Sequence, residues 1–228
     1  MIEDHPLLRI RKNFPRPSAA QVDAFRGKQT GHVVDALGGS GGLDPRIKPI
    51  GGVKPFCGVA VTCNDGPADN LATFASLTVV EPGDVVISTA NGFTNIAVIG
   101  DLLLGMMKNS GVVAFVTDGA VRDIMGIRAV GLPCYAAAVT PNSPARHGPG
   151  TIGFPIVCGD AAIGSGDIVI GDEDGVVVVP YARIEETIER LSAVLAAEAD
   201  LDAKVKAGMK IPDFFQKMID SGRFKYVD

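Results

Sequence analysis

DVVISTANGFTNIAVIGDLLLGMMKNSGVVAFVT, residues 84–117, contains two apolar, β-branched runs with a longer apolar-periodic segment between them. The first run, Asp84–Thr89, predicts a strand. The middle segment, Asp101–Asn109, predicts a helix, and Gly111 stands just beyond its end. The second run, Val112–Thr117, is typical of a strand that is buried on both faces. A strand, a helix and a strand in this order predict two parallel strands joined by a crossover.

The segments before this stretch add helices and one further strand. Ser18 precedes an apolar-periodic run, so residues 18–26 are expected to be helical. A second short helix is expected over 30–37, where the glycine cluster 38–42 ends it. Val53–Cys63 alternates and predicts a strand. Pro67 suits the first turn of a helix that continues through Ser76.

The segments after it add a hairpin and a long helix. Ile168–Ile170 and Val176–Val179 flank the acidic loop 171–175, which predicts a β-hairpin. Ala182–Lys206 carries helical periodicity. Residues 209–228 are expected to form an arm, and because its aromatic and apolar side chains would be costly to leave in water, the arm is expected to pack on its own body or on a neighbour. We therefore predict an α/β fold in a single domain spanning the whole chain, with helices flanking the sheets and a C-terminal helical extension.

Composition and charge exclude several classes of protein. The chain has 228 residues, and 21 Lys and Arg against 26 Asp and Glu give a net charge of -5, which argues against a nucleic-acid partner. Charged residues, Gly or Pro interrupt every apolar run well before the roughly 20 residues that span a bilayer, so no membrane association is expected. The opening MIEDHPLLRIRKNF mixes charges of both signs, unlike a signal peptide, so we expect a cytoplasmic location.

Four cysteines form no CxxC pair, so buried free thiols are expected. The three histidines, His5, His32 and His147, lack the i, i+4 spacing of a zinc-binding helix. Residues 38–42 match GxSxG, but a helix precedes them, whereas a nucleophile elbow follows a strand. Residues 148–153 match GxGxxG, but no strand precedes them and Pro155 prevents the required helix. A serine nucleophile, a histidine-rich zinc site and a dinucleotide site are thereby disfavoured.

The stretch after the second strand carries candidate chemistry. Asp118 ends the predicted strand, and Arg122 and Asp123 follow within one turn. Ligands of α/β folds collect at the carboxyl ends of parallel strands, so an arginine and two carboxylates are expected to meet there. Two carboxylates without sulfur favour Mg²⁺ or Mn²⁺. The alternative is an Asp-Gly turn followed by an Arg-Asp pair that caps a helix.

The predicted helix at Asp101 supplies a second kind of binding group. Gly100 and Asp101 open it, and the amides of Leu102 and Leu103 have no acceptor within the helix. Such amides bind anions. A 2-oxo acid needs a divalent cation for its ketone and carboxylate oxygens, a guanidinium and nearby amide donors. The alternative for Asp101 is an ordinary helix cap.

Three motifs together resemble a known family. VTDGAVRD, the preceding GDLLL and the later GDIVIGDEDGVVVVP are similar to the family that contains 4-hydroxy-4-methyl-2-oxoglutarate/4-carboxy-4-hydroxy-2-oxoadipate aldolases and the regulator of ribonuclease activity A. The resemblance covers about residues 20–208. It implies a β/β/α swivelling-domain type fold, assembled as trimers or hexamers with active sites between subunits.

The resemblance also implies roles for individual residues. Asp123 would bind Mg²⁺ or Mn²⁺, and Arg122 would bind the pyruvate carboxylate. Asp101 would help to hold metal-bound water. The GDLL motif, which begins at Gly100, would bind substrate through the amides of Leu102 and Leu103.

Two further acids would come from the neighbouring subunit. The resemblance places them at Asp35 and Glu198, with three competing acids on the same C-terminal helix: Glu185, Glu186 and Glu189. The acidic loop Asp172–Asp174 matches a family hairpin that we interpret as structural.

A retro-aldol reaction needs either a lysine Schiff base or a divalent metal to stabilise the enolate of pyruvate. None of the ten lysines lies within an apolar strand run, and Lys54, at the start of a predicted strand, has no adjacent cation to depress its pKa. We therefore expect a metal-dependent aldolase that releases pyruvate from a 4-hydroxy-2-oxo acid, with oxaloacetate decarboxylation as a side activity.

Two other functions stay open. One is a non-catalytic regulator that binds a ribonuclease, and the other is a related lyase acting on a different oxo acid. The residues that select the second product are expected in loops such as 38–46 and 141–150, and the sequence does not say which of these loops contacts the substrate.

Overall fold

The computed structural model describes residues 6–227, so predictions that concern the first five residues, including His5, lie outside the described part of the chain. The strands are β1 (Leu8–Ile10), β2 (Lys48–Pro49), β3 (Phe56–Asn64), β4 (Asp84–Thr89), β5 (Ala97–Ile99), β6 (Ala114–Val121), β7 (Cys134–Val139), β8 (Gly150–Ile152), β9 (Ile156–Cys158), β10 (Ala161–Ile163), β11 (Ile168–Gly171) and β12 (Val176–Val179). The helices are α1 (Ala19–Phe25), α2 (Thr30–Ala36), α3 (Leu71–Ala75), α4 (Asp101–Asn109), α5 (Ile124–Val130), α6 (Ile184–Lys206) and α7 (Asp213–Asp220).

The predicted crossover forms the centre of the main sheet. β3, β4, β6 and β7 lie side by side and run parallel. β4, α4 and β6 are the strand, helix and strand of residues 84–117, and α4 has the predicted bounds. β6 begins two residues later than predicted and continues to Val121. β5, which pairs with β6, was not predicted.

Further strands complete the sheet at its sides, and all of their pairings are antiparallel except that of β1 with β8. β11 pairs with β3 and with β12, which confirms the predicted hairpin. β8 pairs with β1 and with the end of β3, and β2 pairs with β7. β9 and β10 form a separate two-stranded sheet. The predicted α/β architecture with flanking helices is confirmed.

Strand alternation divides the buried side chains between two clusters. Val85 and Ile87 of β4 belong to one cluster, while Val86 between them belongs to the other. Leu104 and Met107 of α4 are fully buried in the cluster that contains Val86. Burial of one such side chain stabilises the fold by about 1.5–3 kcal/mol. This packing fixes α4, and with it the helix N-terminus at Gly100.

Local hydrogen bonds explain where two helices begin. Ser18 caps α1 as predicted: its Oγ accepts the amide of Gln21 at 3.3 Å, and the Gln21 side chain accepts the Ser18 amide at 2.7 Å. The helix predicted from Pro67 was misplaced, since α3 begins at Leu71. Ala68 has φ 62°, which a helix does not allow, and Asp69 Oδ1 accepts the Leu71 amide at 2.8 Å.

The C-terminal part contains the predicted long helix and a second, shorter one. Backbone contacts divide the chain into two compact units, residues up to Leu191 and residues from Ser192 onward. The prediction of one domain with an arm from residue 209 stays a prediction. Within residues 6–227, no helix combines the length and apolar character needed to cross a lipid bilayer.

Candidate functional site

A cavity of about 120 Å³ lies where β5 leads into α4 and β6 leads into α5. Six of the residues singled out in the sequence line it: Gly100, Asp101, Leu102, Leu103, Arg122 and Asp123. The volume is well below the roughly 300 Å³ at the lower end for drug-sized ligands, so the cavity suits a small molecule. The crossover connection explains the grouping, because it brings the ends of two parallel strands to the same edge.

Asp123 adopts a backbone conformation that few residues other than glycine adopt. Its φ is 62° and its ψ is 46°, which is the left-handed region. Such a conformation costs about 1 kcal/mol or more and is concentrated at functional sites. Asp123 precedes α5 in the N-cap position, but its side chain makes no capping hydrogen bond. The alternative that the Arg-Asp pair merely caps a helix is therefore not supported for this carboxylate.

Gly100 allows the close approach of Asp123 to the start of α4. A Cβ atom added at Gly100 would collide with Oδ2 of Asp123 and would lie 3.2 Å from Nε of Arg122. The backbone angles of Gly100 are extended, with φ -125° and ψ -170°, so conformational freedom is not the reason for glycine here. Glycine is needed at this position because the side chains of Asp123 and Arg122 occupy the space that a Cβ atom would take.

Asp101 is positioned by the packing of α4 against α5. A Cβ atom at Gly126 of α5 would collide with Oδ2 of Asp101 and lie 2.5 Å from its Cγ. The glycine thus leaves room for this carboxylate between the two helices. Asp101 of α4 and Asp123 before α5 line one cavity, and each carboxylate lies against a glycine of the other segment.

The N-terminus of α4 presents unpaired amides to the same cavity. Leu104 is the first residue whose amide bonds within the helix, to Gly100 O at 3.2 Å. The amides of Leu102 and Leu103 therefore lack intrahelical acceptors. Gly100 contributes no side-chain cap, and a helix N-terminus without a cap favours an anion.

Arg122 is held at the cavity by three contacts. Its amide donates to Ile99 O at 3.0 Å, which joins the end of β6 to the end of β5. Its Nε lies 3.3 Å from Asp123 Oδ2, and its Nη1 donates to Ser143 Oγ at 3.1 Å. The Arg122 and Asp123 side chains are 36% and 40% exposed, so the pair is accessible and contributes little to stability.

Asp118 does not join this site, which corrects the expected meeting of an arginine and two carboxylates around residues 118–123. β6 continues past Asp118 to Val121, so Asp118 lies within the strand. Its carboxylate accepts hydrogen bonds from Thr89 Oγ1 at 2.8 Å and from the amides of Ala90 and Gly92 at 2.8 and 3.2 Å. Asp118 holds the turn after β4 and lines a different cavity. The second carboxylate at the cavity is Asp101.

The acids assigned to a neighbouring subunit lie elsewhere on the chain. Asp35 is on α2 and lines a different cavity. Glu198 is on α6, in the unit that begins at Ser192. Their roles stay predictions. Of the competing acids, Glu185 accepts a hydrogen bond from Gln21 at 2.5 Å, and Glu186 pairs with Arg190 at 3.0 Å.

Asp172 has the structural role that the sequence suggested for the acidic hairpin. Its carboxylate accepts the Thr30 amide and the Thr30 hydroxyl, each at 2.8 Å, and the Asp174 amide at 2.9 Å. Through Asp172, the hairpin loop therefore holds the start of α2.

Seven lining residues were not named from the sequence, and three of them, Asn70, Phe74 and Arg146, carry polar or aromatic side chains. Asn70 is 3% exposed, and its Nδ2 donates to Val98 O at 2.7 Å, while its Oδ1 has no hydrogen-bond partner among the described residues. The sequence signal for Arg146 was its place in the loop 141–150, which was expected to select substrate.

The donor set fits a hard, water-rich cation. Within residues 6–227, no group of three or more His, Cys, Asp or Glu side chains forms a metal site. The cavity has two carboxylates, Asp101 and Asp123, and neither a cysteine nor a histidine among its described lining residues. Mg²⁺ takes one or two carboxylates and keeps several waters, whereas a structural Zn²⁺ needs four protein ligands. Asp101 and Asp123 therefore fit Mg²⁺ or Mn²⁺ better than zinc.

Comparisons with known proteins identify the family of this chain. The family model described as RraA-like, Aldolase/RraA, matches residues 30–178, which include every residue named at the cavity. A protein of Halalkalibacterium halodurans, named "Putative 4-hydroxy-4-methyl-2-oxoglutarate aldolase", is 35% identical over 209 residues, which are 89% of this chain and 98% of that protein.

Solved structures share the fold. A protein from Pseudomonas syringae matches with a TM-score of 0.77 at 24% identity, over 87% of this chain and 93% of its own. The RNA-processing inhibitor RraA from Thermus matches with a TM-score of 0.62 at 27% identity, over 67% of this chain and 93% of its own.

Proposed function

This chain belongs to the RraA-like family of aldolases and RraA proteins, and from that premise we propose that it is a divalent metal-dependent aldolase. Its substrate would be a 4-hydroxy-2-oxo acid of the 4-hydroxy-4-methyl-2-oxoglutarate or 4-carboxy-4-hydroxy-2-oxoadipate type, cleaved to pyruvate and a second oxo acid. One observation carries the proposal. The residues that line a single small cavity include two arginines, two carboxylates and the first residues of a helix, whose amides lack acceptors within the helix.

Each group at the cavity has a role in this reaction. Asp123 would hold Mg²⁺ or Mn²⁺, and Asp101 would orient water molecules bound to it. When bound, the cation supplies a Lewis acid that lowers the energy of negative charge on the ketone oxygen. Arg122 pairs with the carboxylate of the pyruvyl part, and the amides of Leu102 and Leu103 donate to its oxygens. An acid from a neighbouring subunit, Asp35 or Glu198, or a water held by Asp101 accepts the proton of the substrate hydroxyl.

The lysines support a metal over a Schiff base. No lysine is among the described residues that line the cavity. Lys54, the lysine that begins a predicted strand, donates from Nζ to Gly131 O at 2.8 Å, at the end of α5. Decarboxylation of oxaloacetate also leaves negative charge on the enolate of pyruvate, so it is proposed as a side activity.

Exposed apolar side chains beside the cavity support an oligomer. Leu102 is 76% exposed, Met106 45% and Met125 85%, and all three are on α4 or α5. Apolar groups exposed together are typical of a surface that another protein covers. We propose a homo-oligomer, a trimer or a hexamer, in which this surface lies between subunits and a neighbour supplies the further acid. Light scattering on the purified protein measures the number of subunits.

The decisive test is Asp123→Asn, assayed for pyruvate release from a panel of 4-hydroxy-2-oxo acids and oxaloacetate. Asparagine tolerates the left-handed conformation but loses the negative charge, so kcat/KM should fall roughly 100-fold or more. Chelation of the wild type should abolish turnover, and Mg²⁺ should restore it. Asp160→Asn is the matched control, because Asp160 also has φ 62° but does not line this cavity.

Two outcomes would contradict the proposal. Pyruvate release that is unaffected by chelation and by Asp123→Asn would refute the metal-dependent aldolase. Tight binding of a ribonuclease, with no turnover of any 2-oxo acid, would replace it with a non-catalytic role.

A further inference from the structure

Two arginines line the cavity, and the proposed function uses only Arg122. The second, Arg146, is on the loop between β7 and β8. Its guanidinium carbon lies 5.0 Å from the centre of the Phe74 ring, and Phe74 lines the same cavity. Stacking on an aromatic ring restricts a guanidinium to a plane while leaving its N–H groups free to donate.

Arg146 has no carboxylate partner within residues 6–227, since no described acid lies within ion-pair distance of it. Arg122, in contrast, already contacts Asp123 and Ser143. The Arg146 guanidinium, which forms no ion pair with a described acid, can therefore bind a carboxylate of the ligand.

The loop that carries Arg146 is fixed on both sides of the residue. The Ala145 amide donates to Ala68 O at 2.9 Å, and Ala145 O accepts from the Asn70 amide at 3.2 Å. On the other side, the amide of His147 donates to Asp69 Oδ2 at 2.6 Å. The position of the Arg146 backbone is therefore set by the fold. The same loop contacts the first arginine through Ser143, which brings both guanidinium groups to one cavity.

We infer that Arg146 binds a second carboxylate of the substrate, the one carried by the part that leaves as the second oxo acid. The inference rests on the proposed aldolase function and deepens it. Arg122 and Arg146 would each pair with one end of a 4-hydroxy-2-oxo dicarboxylic acid. A planar guanidinium donates two parallel N–H bonds to a carboxylate, so the residue selects dicarboxylic over monocarboxylic substrates.

This assignment also decides between the two loops expected to select the product. Residues of 141–150 reach the cavity, through Pro144 and Arg146. Residues 42–45 line a different cavity, together with Asp35. The loop 141–150 is therefore the one that contacts the substrate within a single chain.

The test compares two substrates that differ by one group in wild type, Arg146→Ala and Arg146→Lys. The dicarboxylic substrate is 4-hydroxy-4-methyl-2-oxoglutarate, and the monocarboxylic one is 4-hydroxy-4-methyl-2-oxopentanoate, with a methyl group in place of the distal carboxylate. In Arg146→Ala, kcat/KM should fall roughly 10- to 100-fold for the dicarboxylic acid and less than about threefold for the other. Arg146→Lys should keep part of the preference, because it keeps the charge but not the fork of donors.

Arg11→Ala is the matched control, since Arg11 also stacks on a phenylalanine, at 4.3 Å from the Phe154 ring centre, but does not line this cavity. It should leave the preference unchanged. Equal losses on both substrates, or no loss on either, in an Arg146→Ala protein that melts like the wild type would overturn the inference while the aldolase function stands.

A binding measurement keeps the inference separate from turnover. Calorimetry with Mg²⁺ compares 2-oxoglutarate with 2-oxopentanoate, which lacks the distal carboxylate. Wild type should bind the dicarboxylic acid more tightly by roughly 10-fold or more, and Arg146→Ala should lose that difference. If no substrate is cleaved, the aldolase function fails, and this comparison alone decides the role of Arg146. Equal affinities in the wild type would refute that role.

Discussion

Gly100 and Asp123 determine the geometry of the cavity at the scale of single residues. Asp123 takes a left-handed backbone conformation, and its carboxylate occupies the space that any side chain at position 100 would fill. A methyl group at position 100, as in Gly100→Ala, should therefore displace Asp123 or Arg122. A substitution at Gly100, which has no side chain of its own, would thus lower activity by moving the Asp123 carboxylate or the Arg122 guanidinium.

Gly100→Ala should lower kcat/KM for pyruvate release roughly 10-fold or more, while unfolding free energy falls by no more than about 1 kcal/mol. The backbone conformation at this position suits alanine, so the loss comes from the collision. Gly105→Ala is the control on the same helix, because the nearest atom to its added Cβ is Val130 Cγ2 at 3.9 Å. Gly105→Ala should keep full activity and equal or higher stability. Full activity in Gly100→Ala would show that the close approach is not needed.

At the scale of elements, Asp69 joins two loops beside the cavity: the one that leads into α3 and the one between β7 and β8. Asp69 is 8% exposed, and its Oδ2 accepts the amides of His147 at 2.6 Å and Gly148 at 3.2 Å. Its Oδ1 accepts the amide of Leu71, at the start of α3. Burial alone would raise the pKa of Asp69, but these three amides together hold the pKa below its usual 3.8.

The lowered pKa sets the sign of a pH effect. The folded protein holds the ionised form more strongly than the unfolded chain does, so this stabilisation is fully present above about pH 4. It is lost as the pH falls through the lower pKa of the folded state. Asp69→Asn removes the charge at all pH values.

In denaturant unfolding at neutral pH, Asp69→Asn should be less stable than wild type by about 1–3 kcal/mol. The difference should shrink as the pH falls below about 4. Because Asp69 also fixes the loop of Arg146, the variant should reduce the preference for a dicarboxylic substrate. A stability difference that stays constant from neutral to acidic pH would contradict this role for the carboxylate.

Burial of all four cysteines is a property of the whole molecule. Cys57, Cys63, Cys134 and Cys158 are free thiols and are buried, as expected from the sequence. Burial raises the pKa of Cys57 to about 11 and that of Cys134 to about 12. Burial also raises the pKa of Cys63 and Cys158. The reactive thiolate is therefore scarce in the folded protein at neutral pH.

Ellman's reagent should therefore label fewer than about one thiol per folded chain at pH 8, and all four after unfolding in guanidinium. The rate of labelling should follow the rate of unfolding, because access needs the core to open. Rapid labelling of a native thiol would show that part of the core is more open than the structure indicates.

The sequence alone predicted many of the local elements and six of the residues that line the cavity. Periodicity and capping residues located α1, α4, β4 and the β11–β12 hairpin, because the information for these elements is local. Gly100, Asp101, Arg122 and Asp123 could be named because they adjoin predicted element ends. Short strands such as β5 and β8 carry too few residues for a pattern, and their pairing comes from distant segments.

Only the tertiary structure decided which acids and bases share a cavity. Asp118 is five residues from Asp123, yet it holds another turn, because β6 continues past it. Arg146 is 24 positions beyond Arg122, yet both line the same cavity, because the loop 140–148 bonds to residues 68–70. Distance along the chain does not specify side-chain direction, which depends on strand register and on contacts between loops far apart in sequence.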